Sequence, residues 1–247
     1  IRDSIIEEQG KLTPELAAAI DKAEKLTEIE DLYRPYRPKR KTRATIAKAK
    51  GLEPLSVLIY SQMLSDEELE KRAESFVSEE NEVLSAEDAL NGAMDIIAEQ
   101  ISDNAEHRKK IRDITFQTGV ITSKATDPEA ETVYEMYYDF SEELSKITGY
   151  RVLAINRGEK EKFLTVKVEA PDAQIVNALN KTMIKDNPNT KTLMEETVLD
   201  AYNRLIAPAI ERDIRSEMTE KAQEGAITVF GKNLKQLLMP VSYTHLR

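Results

Sequence analysis

Between Arg34 and Lys50 the sequence RPYRPKRKTRATIAKAK holds eight basic side chains and no acidic one. Arg34, Arg37, Lys39, Arg40, Lys41 and Arg43 fall within ten residues, on a backbone stiffened by Pro35 and Pro38. Proline fixes φ, lacks an N–H and drives the preceding residue out of the helical region. The stretch is therefore read as extended or turn-like. Tyr33 and Tyr36 lie among the cations. Cations on a stiff support can contact successive phosphates, and an adjacent ring can stack on an unpaired base, at about 1–3 kcal/mol per base. The same side chains can instead dock on carboxylates of this chain or of a neighbouring domain. On the residues alone both readings stand, with nucleic-acid contact assigned to Arg34, Arg37, Lys39, Arg40, Lys41, Arg43 and Tyr36.

The charge around the island sharpens the choice. The 247 residues carry 35 basic and 45 acidic side chains, a net charge of −10. Outside the island 27 basic residues face 45 acidic ones, a balance of −18. An acidic body weakens non-specific attraction to nucleic acid. It also offers many faces on which a basic segment could dock.

Other chemistries find little support. With no cysteine there is no disulfide, thiol nucleophile or zinc ribbon. His107 and His245 are far apart and belong to no HExxH motif or Asp/His cluster. Gly225 to Gly231-Lys232-Asn233 resembles a phosphate loop only loosely. It has five residues between the glycines where four are needed, and Asn233 where a Ser or Thr would ligate magnesium. Carboxylate pairs such as Glu67-Glu68 and Glu142-Glu143 read as solvated helix faces. Asn180-Lys181-Thr182 matches a glycosylation sequon without any secretory signal beside it. A second candidate, Asn156-Arg157-Gly158-Glu159-Lys160, is read as structural, with Gly158 in a turn. No catalytic residue, metal site or cofactor is expected. No apolar run approaches the ~20 residues of a membrane span, so no membrane partner is expected; a cysteine-free chain suits the cytoplasm, the expected setting.

Eight glycines and nine prolines are few, which favours helices. Thr13-Pro14 reads as a helix start, Ser65 with Glu68 and Ser85 with Asp88 as caps, and Gly51 and Gly119 as stops. Ala86 to Ile101 carries one apolar stripe. Asp127-Pro128 is read as opening a helix that carries Val133, Tyr137 and Phe140. Val152 to Asn156, then Arg157-Gly158, then alternating Leu164, Val166 and Val168 read as a β-hairpin near 151–169. Asp172 starts another helix, Asp186 to Asn189 is a turn, and Pro208 is expected to break or kink a long helix. The stripe beyond it runs through Ile210, Ile214, Met218, Ala222, Ile227 and Phe230. The expected fold is mainly α: a multi-helix array with helix-turn-helix-like units and one β-hairpin.

Four stretches, in order, resemble the N-terminal region of the Tex family of bacterial transcription accessory proteins. They are Leu32 to Ala47 running on to Gly51-Leu52-Glu53-Pro54-Leu55; Tyr138-Asp139-Phe140-Ser141-Glu142; Arg151 to Glu161; and Asp200 to Pro208 with Glu211-Arg212. The resemblance reaches to about Pro240. It implies a non-enzymatic, nucleic-acid-associated scaffold. In the family this region is followed by an RNase H-like (YqgF-type) domain, a helix-hairpin-helix domain and an OB-fold RNA-binding domain. The implied partners are single-stranded RNA or DNA, C-terminal domains of the same protein and the transcription machinery. The alternative is a structural interdomain docking module that touches no nucleic acid. The expected division is a helical region over 1–150, hairpin and helix over 151–190, and long helices over 191–240. Ile1 in place of Met suggests a fragment. Residues 241–247 fit no family pattern and are expected to be a non-native tail.

Overall fold

The computed structural model describes residues 12–185 and 190–244, with side chains described as far as Met239. The turn expected at Asp186 to Asn189 and the second histidine, His245, lie outside the described residues. The chain divides into two compact units, one of Ile1–Ile111 with Asp172–Ile210, the other of Arg112–Pro171 with Glu211–Arg247.

The first unit is helical. Helix α1 (Pro14–Lys22) starts where expected, with the Leu16 N–H donating to Thr13 Oγ1 at 3.2 Å. Helix α2 (Leu26–Tyr33) tightens into a 3-10 turn at Arg34–Tyr36, and Pro38 then keeps the chain out of helix. Helix α3 (Arg43–Ala49) is opened by a reciprocal cap between Thr42 and Thr45. Gly51 ends it with φ +79°, a conformation that costs glycine nothing. Helices α4 (Glu53–Ser61) and α5 (Asp66–Glu74) follow, the latter with the expected Ser65–Glu68 capping box.

Helix α6 (Ala86–Asp103) is the axis of this unit. It buries Ala89, Ala93, Ile96, Ile97 and Ile101, one stripe at helical spacing, and packs against α3, α4 and α5. Gly92 makes the α3 contact possible: a Cβ there would lie 2.4 Å from Leu52 Cδ1 and 3.4 Å from Ala47 Cβ. Leu52 is buried and cannot swing into solvent. Gly92→Val is therefore expected to cost about 2 kcal/mol by overpacking, read as a lower urea midpoint with an unchanged slope.

Helix α7 (Ala105–Thr118) stops at Gly119, as its sequence suggests. The second unit then departs from expectation. Residues 120–125 form strand β1 (Val120–Ala125), and the region after Asp127-Pro128 is no helix. It is a loop with a 3-10 turn (Glu135–Tyr137) leading to β2 (Asp139–Glu143). The hairpin near 151–169 is also corrected. Residues Gly149–Lys160 form helix α8, and only β3 (Leu164–Glu169) is a strand. Val152, Ile155 and Gly158 recur every third residue on the buried face. A Cβ on Gly158 would lie 2.6 Å from Leu164 Cδ1, so that glycine serves close packing, while Lys162, at φ +66°, makes the turn. β3 pairs antiparallel with β1, which also pairs with β2, giving the order β2-β1-β3.

Helix α9 (Asp172–Met183) and helix α10 (Lys191–Asp200) return to the first unit. The next turn, Ala201–Ile206, is π-helical, and helix α11 (Ala207–Thr244) continues without a break. Pro208 supplies the physical reason. It lacks an N–H, and its ring would strike the carbonyl four residues back in an α-helix. Widening the preceding turn to i→i+5 bonds relieves both faults. The expected break at Pro208 is thus a local π turn. Ile210, Ile214, Met218 and Ala222 are buried as their spacing predicts, whereas Ile227 and Phe230 are exposed. The mainly α class stands, with one small antiparallel sheet.

Candidate nucleic-acid interface

The basic island is carried by the end of α2, the 3-10 turn, a strap at 37–42 and the first turn of α3. Arg37, Arg40, Lys41 and Arg43 are exposed, whereas Arg34, Tyr36 and Lys39 are half-buried. Lys39 departs from its neighbours. Its Nζ donates to Asp103 Oδ2 and lies 3.3 Å from Glu99 Oε2, both on α6. Beside it Thr42 Oγ1 donates to Glu99 Oε1 at 3.0 Å. The strap is clipped to α6 by one cation and one hydroxyl. Lys39 is thus paired within the chain, while Arg37, Arg40 and Lys41 make no ion pair among the described residues.

The clip has an electrostatic consequence. Burial pushes the Asp103 carboxyl above the ordinary aspartate range, against the opposing pull of the Lys39 bond. The folded chain thus holds that proton more tightly than the unfolded chain. This contribution to stability is present below the unfolded pKa and lost as pH rises through the raised folded one. Lys39→Met removes the counter-charge and leaves two neighbouring carboxylates. It is expected to cost about 2 kcal/mol near pH 7 and less near pH 4.5, as thermal melts at the two pH values would show.

Under the strap lies a cleft of about 560 Å³ lined by Glu30, Tyr33, Arg34, Arg37, Arg40 and the Glu99–Asp103 turn of α6. A second recess of about 530 Å³ shares Arg37, Lys39, Glu99 and Asp103 with it and adds Pro35 and Lys48. Ion pairs outside the cleft hold the helices that line it. On the inner side of α2, Asp31 accepts from Arg108 Nε on α7, with both side chains almost fully buried. Near the base of the π turn, Arg204 Nη2 donates to Asp95 on α6 at 2.6 Å, and Arg204 Nε donates to Asp200 at 3.0 Å. Burial raises the Asp95 carboxyl, and the charges of Arg204 and Arg43 oppose the shift. The chain motif around Arg204 thus props α6, which carries the clip.

The remaining sequence candidates have structural employment. Asn156 Nδ2 donates to Thr219 Oγ1 at 2.8 Å, and Arg157 pairs with Glu161 at 2.9 Å. The loosely P-loop-like stretch around Gly225 is exposed α-helix. His107 is half-buried in α7, and burial pushes its imidazole down. Among the described residues no group of His, Asp and Glu could hold a metal ion, and no helix is long and apolar enough to cross a membrane. The sequence reading missed Glu30, Glu99, Asp103 and Arg204. Glu99 and Asp103 are an i,i+4 pair on the rim of the α6 stripe, a visible spacing. Nothing local ties them to Lys39, some sixty residues earlier.

Residues 65–230 match the family model described as Tex central region-like. The chain is 49% identical over 239 residues to the protein YdcI of Bacillus subtilis, covering 95% of this chain and 33% of that protein. It is 33% identical over 250 residues to the protein tex of Bordetella pertussis, and 34% identical over 246 residues to the transcriptional accessory protein Tex of Neisseria gonorrhoeae. Each of these two alignments covers 95% of this chain and 31% of the relative. The chain belongs to the Tex family. It spans about a third of the length of the curated relatives it matches.

Proposed function

We propose that this chain is the helical N-terminal region of a Tex-like transcription accessory factor, a non-catalytic scaffold that contacts single-stranded nucleic acid through its basic strap. The observation that carries this reading is the row of exposed cations at Arg37, Arg40, Lys41 and Arg43 on a support pinned at Lys39. A flexible basic tail loses entropy on binding, and a clipped strap has already lost it. Tyr33 and Tyr36, half-buried beside the cations, supply ring faces for bases. Helix-turn-helix-like packing in the helical region expected over 1–150, a cytoplasmic setting and contact with the transcription machinery belong to the same reading.

A second reading has one observation in its favour. Lys39 and Thr42 bind carboxylates of the same chain, as a docking module would, and the exposed arginines would then meet a further domain. Fluorescence anisotropy of a labelled ten-nucleotide U RNA, titrated with salt, separates the two. Four phosphate contacts predict a slope of log K against log salt of about −3. No binding at 20 mM salt favours docking.

A further inference from the structure

Of the carboxylates lining the cleft, Glu99 and Asp103 are engaged by Lys39 and Thr42, whereas Glu30 is in no ion pair or side-chain hydrogen bond among the described residues. Glu30 is exposed to the cleft and its carboxylate has no partner among the described residues. Arg34 lies four residues on, on the same face of one continuous helical run, and Tyr33 lies between them on the cleft wall. A carboxylate and a guanidinium one helical turn apart, beside an aromatic ring, form a reading head for a flat base.

The chemistry selects among the bases. A carboxylate accepts at both oxygens, so two N–H donors side by side match it best. Guanine offers N1–H and N2–H side by side, with O6 next to them as an acceptor for a guanidinium, which has five donors. Uracil offers one N–H flanked by two carbonyl oxygens, which repel a carboxylate. Adenine and cytosine offer one amino group beside an acceptor ring nitrogen. A cleft of about 560 Å³ is in the size range that holds one such ligand. We infer that the cleft reads one unpaired guanine of a bound strand, Glu30 accepting from its N1–H and N2–H and Arg34 donating to its O6. Tyr33 provides the stacking face and Arg37 and Arg40 meet the flanking phosphates. This inference rests on the proposed nucleic-acid reading of the strap.

The test uses the 247-residue chain and ten-nucleotide U RNAs in which one central residue is U, A, C or G. The G-containing RNA is expected to bind about tenfold tighter than the all-U RNA, the size of one good bidentate contact. A and C are expected to stay within about twofold of U, well below the discrimination of a bidentate pair. In Glu30→Gln the ratio of the U to the G dissociation constant is expected to fall to near one, because the amide turns one acceptor into a donor. The deoxy versions of the same oligomers, T with one G, tell an RNA site from a DNA site; a G preference on either backbone supports the inference. Equal affinity for all four RNAs, with no G preference in the deoxy series, overturns the base reading and leaves the strap reading in place. So does a G preference that survives in Glu30→Gln. Failure of every oligomer to bind at 20 mM salt overturns both.

Discussion

Changing Arg37, Arg40 and Arg43 together to Glu is expected to lower the affinity for single-stranded RNA by about 100-fold or more at 50 mM salt. Each exposed cation contributes roughly 1 kcal/mol of attraction to a phosphate at contact in water. Three such attractions are lost and three repulsions gained. The salt dependence changes with them: each phosphate contact on a single strand contributes about −0.7 to the slope, so a slope near −3 falls to about −1. The melting profile of the variant is expected to stay within a few degrees of the wild type, because all three side chains are exposed and surface substitutions rarely exceed about 0.5 kcal/mol each. A variant that binds normally would remove the strap from the interface. One that melts much earlier would assign the arginines to structure.

The second large effect is on stability. Asp31 and Arg108 form an ion pair with side chains 6% and 0% exposed, joining α2 to α7. Taking two charges out of water is expensive, and the pair recovers that cost only while both partners are present. Asp31→Ala takes the Asp31 carboxylate away from a fully buried guanidinium and is expected to cost about 3–5 kcal/mol. At 2–4 °C per kcal/mol for a chain of this size, the midpoint falls by about 10 °C. Asp31→Leu combined with Arg108→Met removes both charges and is expected to regain most of the loss, since apolar replacements of buried pairs are often neutral. The same helix turn carries Glu30 and Tyr33 on its other side. Asp31→Ala should therefore weaken RNA binding below its own melting range, without any change to a cation of the strap.

Much of the first unit was legible because its signals are local. Thr13-Pro14, Ser65 with Glu68, Gly51 and the α6 stripe each state a boundary or a face within a few residues. The basic strap was legible for the same reason, as two prolines and eight cations need no partner to be noticed. Residues 149–169 were misread because Val152-Leu153-Ala154-Ile155 is a short apolar run, which fits a buried strand and a buried helix equally. Gly158 then looked like a turn, although its role is to admit Leu164. β2 escaped notice because Asp139-Phe140-Ser141-Glu142-Glu143 has one apolar residue and none fully buried, as a sheet edge allows. The clip at Lys39 and the pair at Asp31 depend on partners more than sixty residues away. Such contacts exist only once the helices have packed.

In the proposed arrangement a single strand lies along the strap and enters the cleft beside Tyr33. The most direct test is photo-crosslinking of a ten-nucleotide RNA containing 4-thiouridine to the 247-residue chain, followed by mass spectrometry of the crosslinked peptides. Crosslinks are expected within residues 30–48, led by Tyr33 and Tyr36, and lost at high salt. Crosslinks concentrated in the sheet around β1 or along the exposed end of α11 would contradict it.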